Sequence, residues 1–378
     1  MSLLIMLLAV SWLSALGIRQ YQIRKLVPKT LVENATNYSG RKFFNQLPSD
    51  ELSFKNFMRM TAKYFRVKNP DKRPARPLPV IPINDQFNRV PSNDLRFAWL
   101  GHSSLILEIA GKRLLIDPML SERSSMVQWA GPRRFHPAPL KAEELPVVDA
   151  VLISHDHFDH LDQATIKSIA GRDLLFIVPI GISSRLRDWG VAENKIIEMN
   201  WWDEYDLDGL RIVATPARHF SGRGLPDRDL TLWTSWSIIG EKRRVFFSGD
   251  TGPTPDMQTI GEKFGPFDLT FIEIGAYDET WASIHAGPVV AAQIHRQLNG
   301  AQMVPIHWAT FDLALHSWYS PAEELVREAA TGNIHLLTPR PGELVIPDQH
   351  RNDFWWRKFM NDPEFSPGKQ EYCYGTEF

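Results

Sequence analysis

The sequence predicts an α/β body of two packed sheets with helices outside, carried behind a basic and partly apolar N-terminal extension. Three observations lead there. Strand-like apolar runs recur many times between residues 95 and 306 with few helical stretches among them, which argues against a doubly wound parallel sheet. Run after run ends in a polar or Gly-containing turn that bears one candidate ligand. One such turn, Ser154-His155-Asp156-His157-Phe158-Asp159-His160, packs three imidazoles and two carboxylates into six residues, a donor set suited to zinc and similar first-row cations.

The chain has 378 residues, 43% of them hydrophobic, enough for a large core and for more than one domain. Its net charge is −2, but residues 1–90 carry 15 Lys+Arg against 5 Asp+Glu (+10) while the remainder carries 27 against 39 (−12). A basic front on an acidic body suits attachment to an anionic surface and argues against nucleic acid as a partner. The single cysteine, Cys373, excludes an intramolecular disulfide and a thiolate ligand in the metal cluster. Nothing in the sequence fixes an oligomeric state.

Four segments are expected. Residues 1–30 form a hydrophobic anchor with a basic flank: residues 1–17 are nearly all apolar, at the short limit for a membrane span, and Arg19, Arg24, Lys25 and Lys29 follow them. Cations after the apolar run put the catalytic body on the cytoplasmic side. The alternative is a buried helix packed on the body. Residues 31–90 form a basic extension. Within it Lys55, Arg59, Lys63 and Arg66 share one arc of a helix opposite Phe54, Phe57, Met58, Tyr64 and Phe65, a pattern that fits a headgroup layer or an ordinary docked surface helix. The prolines of Lys72–Pro79 then impose an extended linker. Residues 91–347 form the catalytic domain, and residues 348–378 a tail whose Trp355-Trp356 carries no functional motif.

Within the body, Leu95–Leu100 and Ser104–Ile109 alternate as strands around Gly101-His102, and residues 112–116 add a third before Asp117. Residues 121–139 form a long irregular loop with Arg123, Arg133, Arg134 and His136, whose cations suit a phosphate or simply a solvated loop. Residues 147–153 read as a buried strand ending at Ser154. The histidine run behind it is expected to be a tight loop or first helical turn, because in a strand its side chains would alternate between faces. Gln163–Ala170 reads as helix and Leu174–Val178 as strand. Further strands over 211–216, 230–239, 244–248, 268–272 and 302–306 lead to His219, Gly249-Asp250, Glu273 and His307, and 288–298 is helical with His285 just before it.

His219, Asp250 and His307 each stand past a strand; added to the 155–160 cluster they complete seven ligands for two metals. Three imidazoles and one carboxylate would hold one ion. Two imidazoles and two carboxylates would hold the other, with one carboxylate shared. The pattern His-x-His-x-Asp-His followed by distant His, Asp and His resembles the metallo-β-lactamase superfamily. Trp99–Ser104, Gly131–Phe135, Asn200–Glu204, Ser235–Ser237, Phe264–Leu269, Ile274–Tyr277 and Ile306–Phe311 narrow the likeness to its N-acylphosphatidylethanolamine-hydrolysing phospholipase D branch, over about residues 95–345.

That resemblance implies a four-layer αββα sandwich and two zinc ions, with His155, His157 and His219 on one, Asp159, His160 and His307 on the other, and Asp250 bridging. It implies a phospholipid substrate cleaved to N-acylethanolamine and phosphatidate by a metal-bridging hydroxide, with Asp159 and Asp250 catalytic, and a membrane surface met through residues 1–66. Two positions depart from the animal enzymes: Phe158 and Ile284 replace a tyrosine and a glutamine, removing two polar groups near the acyl amide, while His285 remains. Phe158, Ile284, His285, His102, His316, Arg133 and Arg134 are the candidate substrate contacts, with packing or surface roles as the alternative for His102 and His316. Rival activities on the same scaffold are a lactonase or a nuclease; a metal-dependent sensor without catalysis is the non-enzymatic alternative.

Overall fold

A computed structural model of the chain describes residues 29–33, 35–40, 42–48, 59, 62–63, 66, 69–83, 85–87, 89–224 and 227–360. The apolar stretch 1–17, most of the amphipathic segment 51–66, the end of the tail and Cys373 lie outside them.

Among the described residues fourteen strands make two seven-stranded sheets. They are β1 (Arg96–Gly101), β2 (Ser104–Ile109), β3 (Lys112–Ile116), β4 (Ala150–Leu152), β5 (Leu175–Pro179), β6 (Ile196–Met199), β7 (Glu204–Leu207), β8 (Leu210–Thr215), β9 (Ser235–Ile239), β10 (Arg244–Phe247), β11 (Phe267–Glu273), β12 (Gly300–Ile306), β13 (His335–Leu336) and β14 (Leu344–Val345). The first sheet runs β14-β1-β2-β3-β4-β5-β6 and the second β13-β12-β11-β10-β9-β8-β7. In each, hairpin-connected antiparallel strands continue into a parallel half, β3 to β6 in the first and β10 to β13 in the second. Five helices supply crossovers: α1 (Gln163–Ile169), α2 (Ser183–Asp188), α3 (Asp256–Phe264), α4 (Gly287–Gln297) and α5 (Ser320–Gly332).

The inner faces of the sheets interdigitate. Phe97, Trp99, Leu107, Leu114 and Leu152 of one meet Ile212, Trp236, Phe247, Phe271 and Val304 of the other, all of them buried, and Phe97 meets Phe271 edge-on at 4.9 Å. Alternate residues of the first sheet, among them Ala98, Ile106, Val151 and Ile153, bury a second face against Ile166, Ile169 and Leu186 of α1 and α2. Ala291, Ile294, Leu325 and Val326 of α4 and α5 belong to the inter-sheet core cluster on the far side. The order is therefore helix, sheet, sheet, helix, as expected, with the inner strands such as β2, β4 and β11 buried on both faces, which is why they read as apolar runs rather than strict alternations.

Several boundaries differ from expectation. The strand over 147–153 forms a ladder only over β4, because the Asp149 carboxylate takes the Arg113 N–H (2.7 Å) and Val147 is 83% exposed. Only the second half of 230–239 is a strand. Its first half is tied across the fold instead, Leu232 N–H to the Ile180 carbonyl and Thr234 N–H to that of Ser154. The Pro-rich segment is extended but docked, with Leu78 buried in the core and Ile81 N–H on the Pro341 carbonyl (2.8 Å). Trp355 and Trp356 close the inter-sheet core beside Trp308 (5.8 and 5.1 Å), and Trp356 Nε1 donates to Glu323 (2.6 Å). Lys63 and Arg59, expected to face either headgroups or water, reach Asp278 (2.6 Å) and Glu279 (3.2 Å) of the body.

Candidate metal centre

The site lies where strands of both sheets end. After β4 the chain turns at once: His160 N–H and Leu161 N–H both donate to the His157 carbonyl (3.2 and 2.9 Å), and Asp162 then caps α1 by accepting from Ala164 and Thr165 N–H. This single turn aims His155, His157, Asp159 and His160 inward. His219 follows β8, Asp250 follows β10, and His307 follows β12 with a left-handed backbone (φ 66°). A β-carbon on Gly249, which has φ 55°, would come within 2.7 Å of Ser154 Cβ, so only glycine lets β10 approach the histidine loop this closely.

All seven side chains come together, in two groups that share Asp250. In the first, the ligand atoms of His155, His157, His219 and Asp250 lie within 4.8 Å of one another; in the second, those of Asp159, His160 and His307 do so with His102. His155 Nε2 and His219 Nε2 are 2.8 and 3.2 Å from His157 Nδ1, and 3.8 and 3.7 Å from Asp250 Oδ2. Asp250 meets the second group at 3.2 Å from His160 Nε2 and 3.1 Å from His307 Nε2, and Asp159 Oδ2 is 3.4 Å from the latter.

The residues fit a cation. His160 Nε2, His307 Nε2 and Asp250 Oδ1 are buried, face one another and have no hydrogen-bond partner among the described residues. Such atoms are costly to bury unless something of opposite charge completes them. Protonation states point the same way. Burial alone would raise Asp159 and Asp250, yet the neighbouring imidazoles, His160 foremost, hold both well below the usual carboxylate range. Burial keeps His155 and His219 neutral, with pKa values far below the ordinary one, and takes His157 down to about 4. In His307 burial is outweighed by Asp250 and Asp159, which lift it to about 10. Both carboxylates are thus held ionised and three of the five imidazoles neutral, the forms in which they bind a cation.

A further layer fixes these ligands, much of it not singled out from sequence. Asp117, at the end of β3 and fully buried, accepts from His160 Nδ1 (2.8 Å) and from Ser154 N–H (2.7 Å) and Oγ (2.5 Å). It sits past an apolar run just as Asp250 does, a signal that was present. His219 donates its Nδ1–H to the Ile284 carbonyl (2.9 Å), which turns Nε2 to the cluster. Glu273 Oε2 binds His285 Nδ1 (2.8 Å) and Oε1 accepts from Thr251 N–H (2.6 Å). Asp156, the residue between the first two histidines, is fully buried against Arg185 (2.7 Å). The same guanidinium holds Asp227 (2.7 Å) in the loop after His219, so one cation ties both histidine-bearing loops together.

The candidate substrate contacts separate. His285 stands at the cluster, its ring 5.0 Å from that of His219 and 5.4 Å from that of His307. Phe158 is half-buried under the Arg223 guanidinium (4.5 Å). His316 stacks on Tyr277 (4.9 Å) with Nδ1 on the Ser317 carbonyl. Arg133 is exposed and paired with Glu122. Three candidates are buried. His102 is 1% exposed and hydrogen-bonded to Asp159 (2.8 Å), so it supports a cluster carboxylate from behind. Arg134 is buried, its guanidinium spent on the carbonyls of Met119 (3.0 Å) and Leu100 (2.8 Å). The Ile284 side chain is buried too, and only its backbone serves the cluster.

Comparison with known proteins agrees with this geometry. Residues 112–308 match the Beta-lactamase superfamily domain. An uncharacterised protein of Mycobacterium tuberculosis is 39% identical over 87% of this chain and 89% of its own length. A Caenorhabditis elegans protein named N-acyl-phosphatidylethanolamine-hydrolyzing phospholipase D 1 is 36% identical over 66% of this chain and 74% of its own. Among solved structures, a metallo hydrolase of the archaeon Ignicoccus hospitalis is 25% identical and superposes with a TM-score of 0.51, covering 66% of this chain and 97% of that one.

Proposed function

The chain belongs to the metallo-β-lactamase superfamily and is a metal-dependent hydrolase of that fold, and on that premise we propose that it is a zinc-dependent phosphodiesterase of the phospholipase D type. Its substrates are N-acylphosphatidylethanolamine-type lipids and its products N-acylethanolamine and phosphatidate. One observation carries the substrate class: a relative bearing that activity in its name is 36% identical over 66% of this chain. Two ions are supported by two groups of donors that share one carboxylate, and zinc by their nitrogen-and-oxygen chemistry.

His155, His157 and His219 would hold one ion, Asp159, His160 and His307 the other, and Asp250 both. When bound, such ions lower the pKa of water towards ~7 and offset charge on phosphoryl oxygens. The protein's own part is orientation and proton handling. Asp159 is the less buried of the two cluster carboxylates and stands where it can orient the attacking water. His285, set by Glu273 and partly exposed, is placed to hold a proton for the departing oxygen. Phe158 and the buried Ile284 offer no polar group to the acyl amide, so selection for the N-acyl chain rests on apolar contact. Residues 1–66 attach the body to the cytoplasmic face of a membrane; among the described residues no helix is long and apolar enough to cross one.

The test is mass spectrometry of products released by the purified full chain from a mixed lipid extract. N-acylethanolamine and phosphatidate appearing together, and disappearing on metal removal, are expected. Ring-opened lactone or nucleotide products without them would overturn the reading.

A further inference from the structure

We propose that the loop between Arg123 and Arg133 is a second membrane-docking element, one that seats the mouth of the metal centre on a lipid surface. The inference rests on the lipid-substrate reading and adds to it where the body touches the bilayer.

The loop is built rather than slack. Arg123 and Arg133 pair as an antiparallel bridge, Ser124 N–H donates to the Pro132 carbonyl (3.1 Å) and Arg134 N–H to that of Glu122 (2.9 Å). Gln128 clamps the neck, accepting from Arg123 N–H and donating to its carbonyl (both 3.0 Å), while Arg123 Nη1 reaches the Gly131 carbonyl (2.6 Å). Gly131 has φ 103°, and a β-carbon there would come within 2.6 Å of Ser125 Cβ.

This scaffold holds two apolar side chains in water. Trp129 is 83% exposed and Met126 52%. Trp129 is the one exposed tryptophan among the described residues; the others are buried or half-buried. An ordered loop that presents a tryptophan this way has an occupant to meet. A membrane fits best. Tryptophan favours the headgroup boundary. The neck of the loop carries Arg123 and Arg133, the latter paired with Glu122 at its edge, and 124–132 adds no carboxylate, so the loop keeps a small positive excess that complements anionic lipid.

The root of the loop completes the argument. Phe135 N–H donates to the Thr310 carbonyl (2.9 Å), the Arg134 guanidinium lies 5.5 Å from the Phe311 ring, and Phe311 packs edge-on against His102, which holds Asp159. A second apolar projection is joined to the other half of the site. Phe44 and Leu47 are 43% and 37% exposed on a segment whose Asn45 donates to the His219 carbonyl (2.8 Å) and accepts its N–H (3.2 Å). Exposed apolar groups are thus linked by direct contacts to both metal groups.

The experiment uses the full chain with Cys373→Ser and a single new cysteine carrying an environment-sensitive dye, at Trp129→Cys or, as a control, at Val147→Cys. Val147 is 83% exposed ahead of β4, at the end of that strand away from the ligands. On phosphatidylcholine vesicles containing phosphatidylglycerol, the dye at 129 should shift to the blue and be quenched by a lipid-embedded quencher, while the dye at 147 stays aqueous. Trp129→Ala with Met126→Ser should weaken vesicle binding about 10- to 100-fold and leave cleavage in detergent micelles unchanged. An aqueous dye at 129 on chains that sediment with vesicles, or no sedimentation at all, overturns docking by this loop. So does a blue shift before vesicles are added, which would mean that the loop is covered by another part of the chain or, if concentration-dependent, by a second copy. Insertion without cleavage of N-acylphosphatidylethanolamine in micelles would instead overturn the substrate reading and leave the docking standing.

Discussion

Replacing Arg185 by methionine should loosen the metal centre from outside it. The guanidinium is 2% exposed and makes close contacts with two buried carboxylates: Nε and Nη2 on Asp156 at 2.9 and 2.7 Å, and Nη2 on Asp227 at 2.7 Å. Asp156 keeps one bond, from Gly222 N–H (2.6 Å), and Asp227 keeps one from Arg223 N–H (3.0 Å). Methionine fills much of the volume but leaves both charges buried beside each other without the cation that bridges them, with only the Arg223 charge nearby to offset Asp156. Removing one partner of a buried pair costs about 3–5 kcal/mol. For a body of this size each kcal/mol moves Tm by about 2–4 °C, so a fall of roughly 6–20 °C is expected. Because Asp156 stands between His155 and His157 and Asp227 follows His219, affinity at the first metal group should drop as well, about 10- to 100-fold. The assay is thermal unfolding of chelated and metal-loaded protein, followed by metal titration. Arg185→Lys, which keeps the charge but not the fork, should fall between. Adding Asp156→Asn and Asp227→Asn to Arg185→Met should recover part of the loss, since the buried charges are then gone. A methionine variant within 2 °C of wild type with unchanged metal affinity would refute the idea that this cation ties the two loops.

Asp250→Asn removes the carboxylate common to both groups and should lower turnover by about 10³-fold together with bound metal per chain; full activity in metal-depleted variant protein would reject a metal mechanism. His102→Asn tolerates the left-handed backbone at that position (φ 54°) but cannot reach Asp159. It should cost about 10- to 100-fold in activity and second-site affinity with little change in Tm; a large Tm loss with normal affinity would make His102 a packing residue only. Chelation should lower Tm in proportion to RT ln(1+[metal]/Kd), and a Tm indifferent to metal would count against two-ion occupancy. Lys63→Gln tests the docking of the extension. Burial would raise Asp278, but Lys63 and the Thr280 hydroxyl and N–H bring it below the ordinary value. The stabilisation is therefore present above the unfolded pKa of about 3.9 and is lost as pH falls through the lowered folded value. The variant should be less stable by up to ~1 kcal/mol at neutral pH and converge on wild type in acid; equal stability at pH 7 would sink it.

Much of the fold and site was legible in the chain because the deciding interactions are short-range. Six consecutive residues place four ligands, since a strand end followed by one turn and a capped helix fixes their directions whatever lies opposite. Apolar runs ending in a ligand-bearing turn mark the strands, because burial on both faces selects β-branched and aromatic residues regardless of neighbour. Length alone could not separate a ladder from an extended tie, so the strands over 147–153 and 230–239 proved shorter than they read.

Tertiary structure decided what depends on which strand lies beside which. His219, Asp250 and His307 converge because β8, β10 and β12 belong to one sheet whose strand ends face the β4 loop of the other, an order set by crossovers that leave no local trace. Among the buried supports, Asp117, Glu273 and Arg185 read in sequence as ordinary polar residues, Asp156 as one more carboxylate of the histidine run and His102 as a candidate substrate contact; their supporting roles arise only once folding removes water and obliges each charge to find a partner. Arg134 shows the reverse: a cation in a loop looks ready for phosphate until the packed chain shows it buried with both terminal nitrogens on backbone carbonyls.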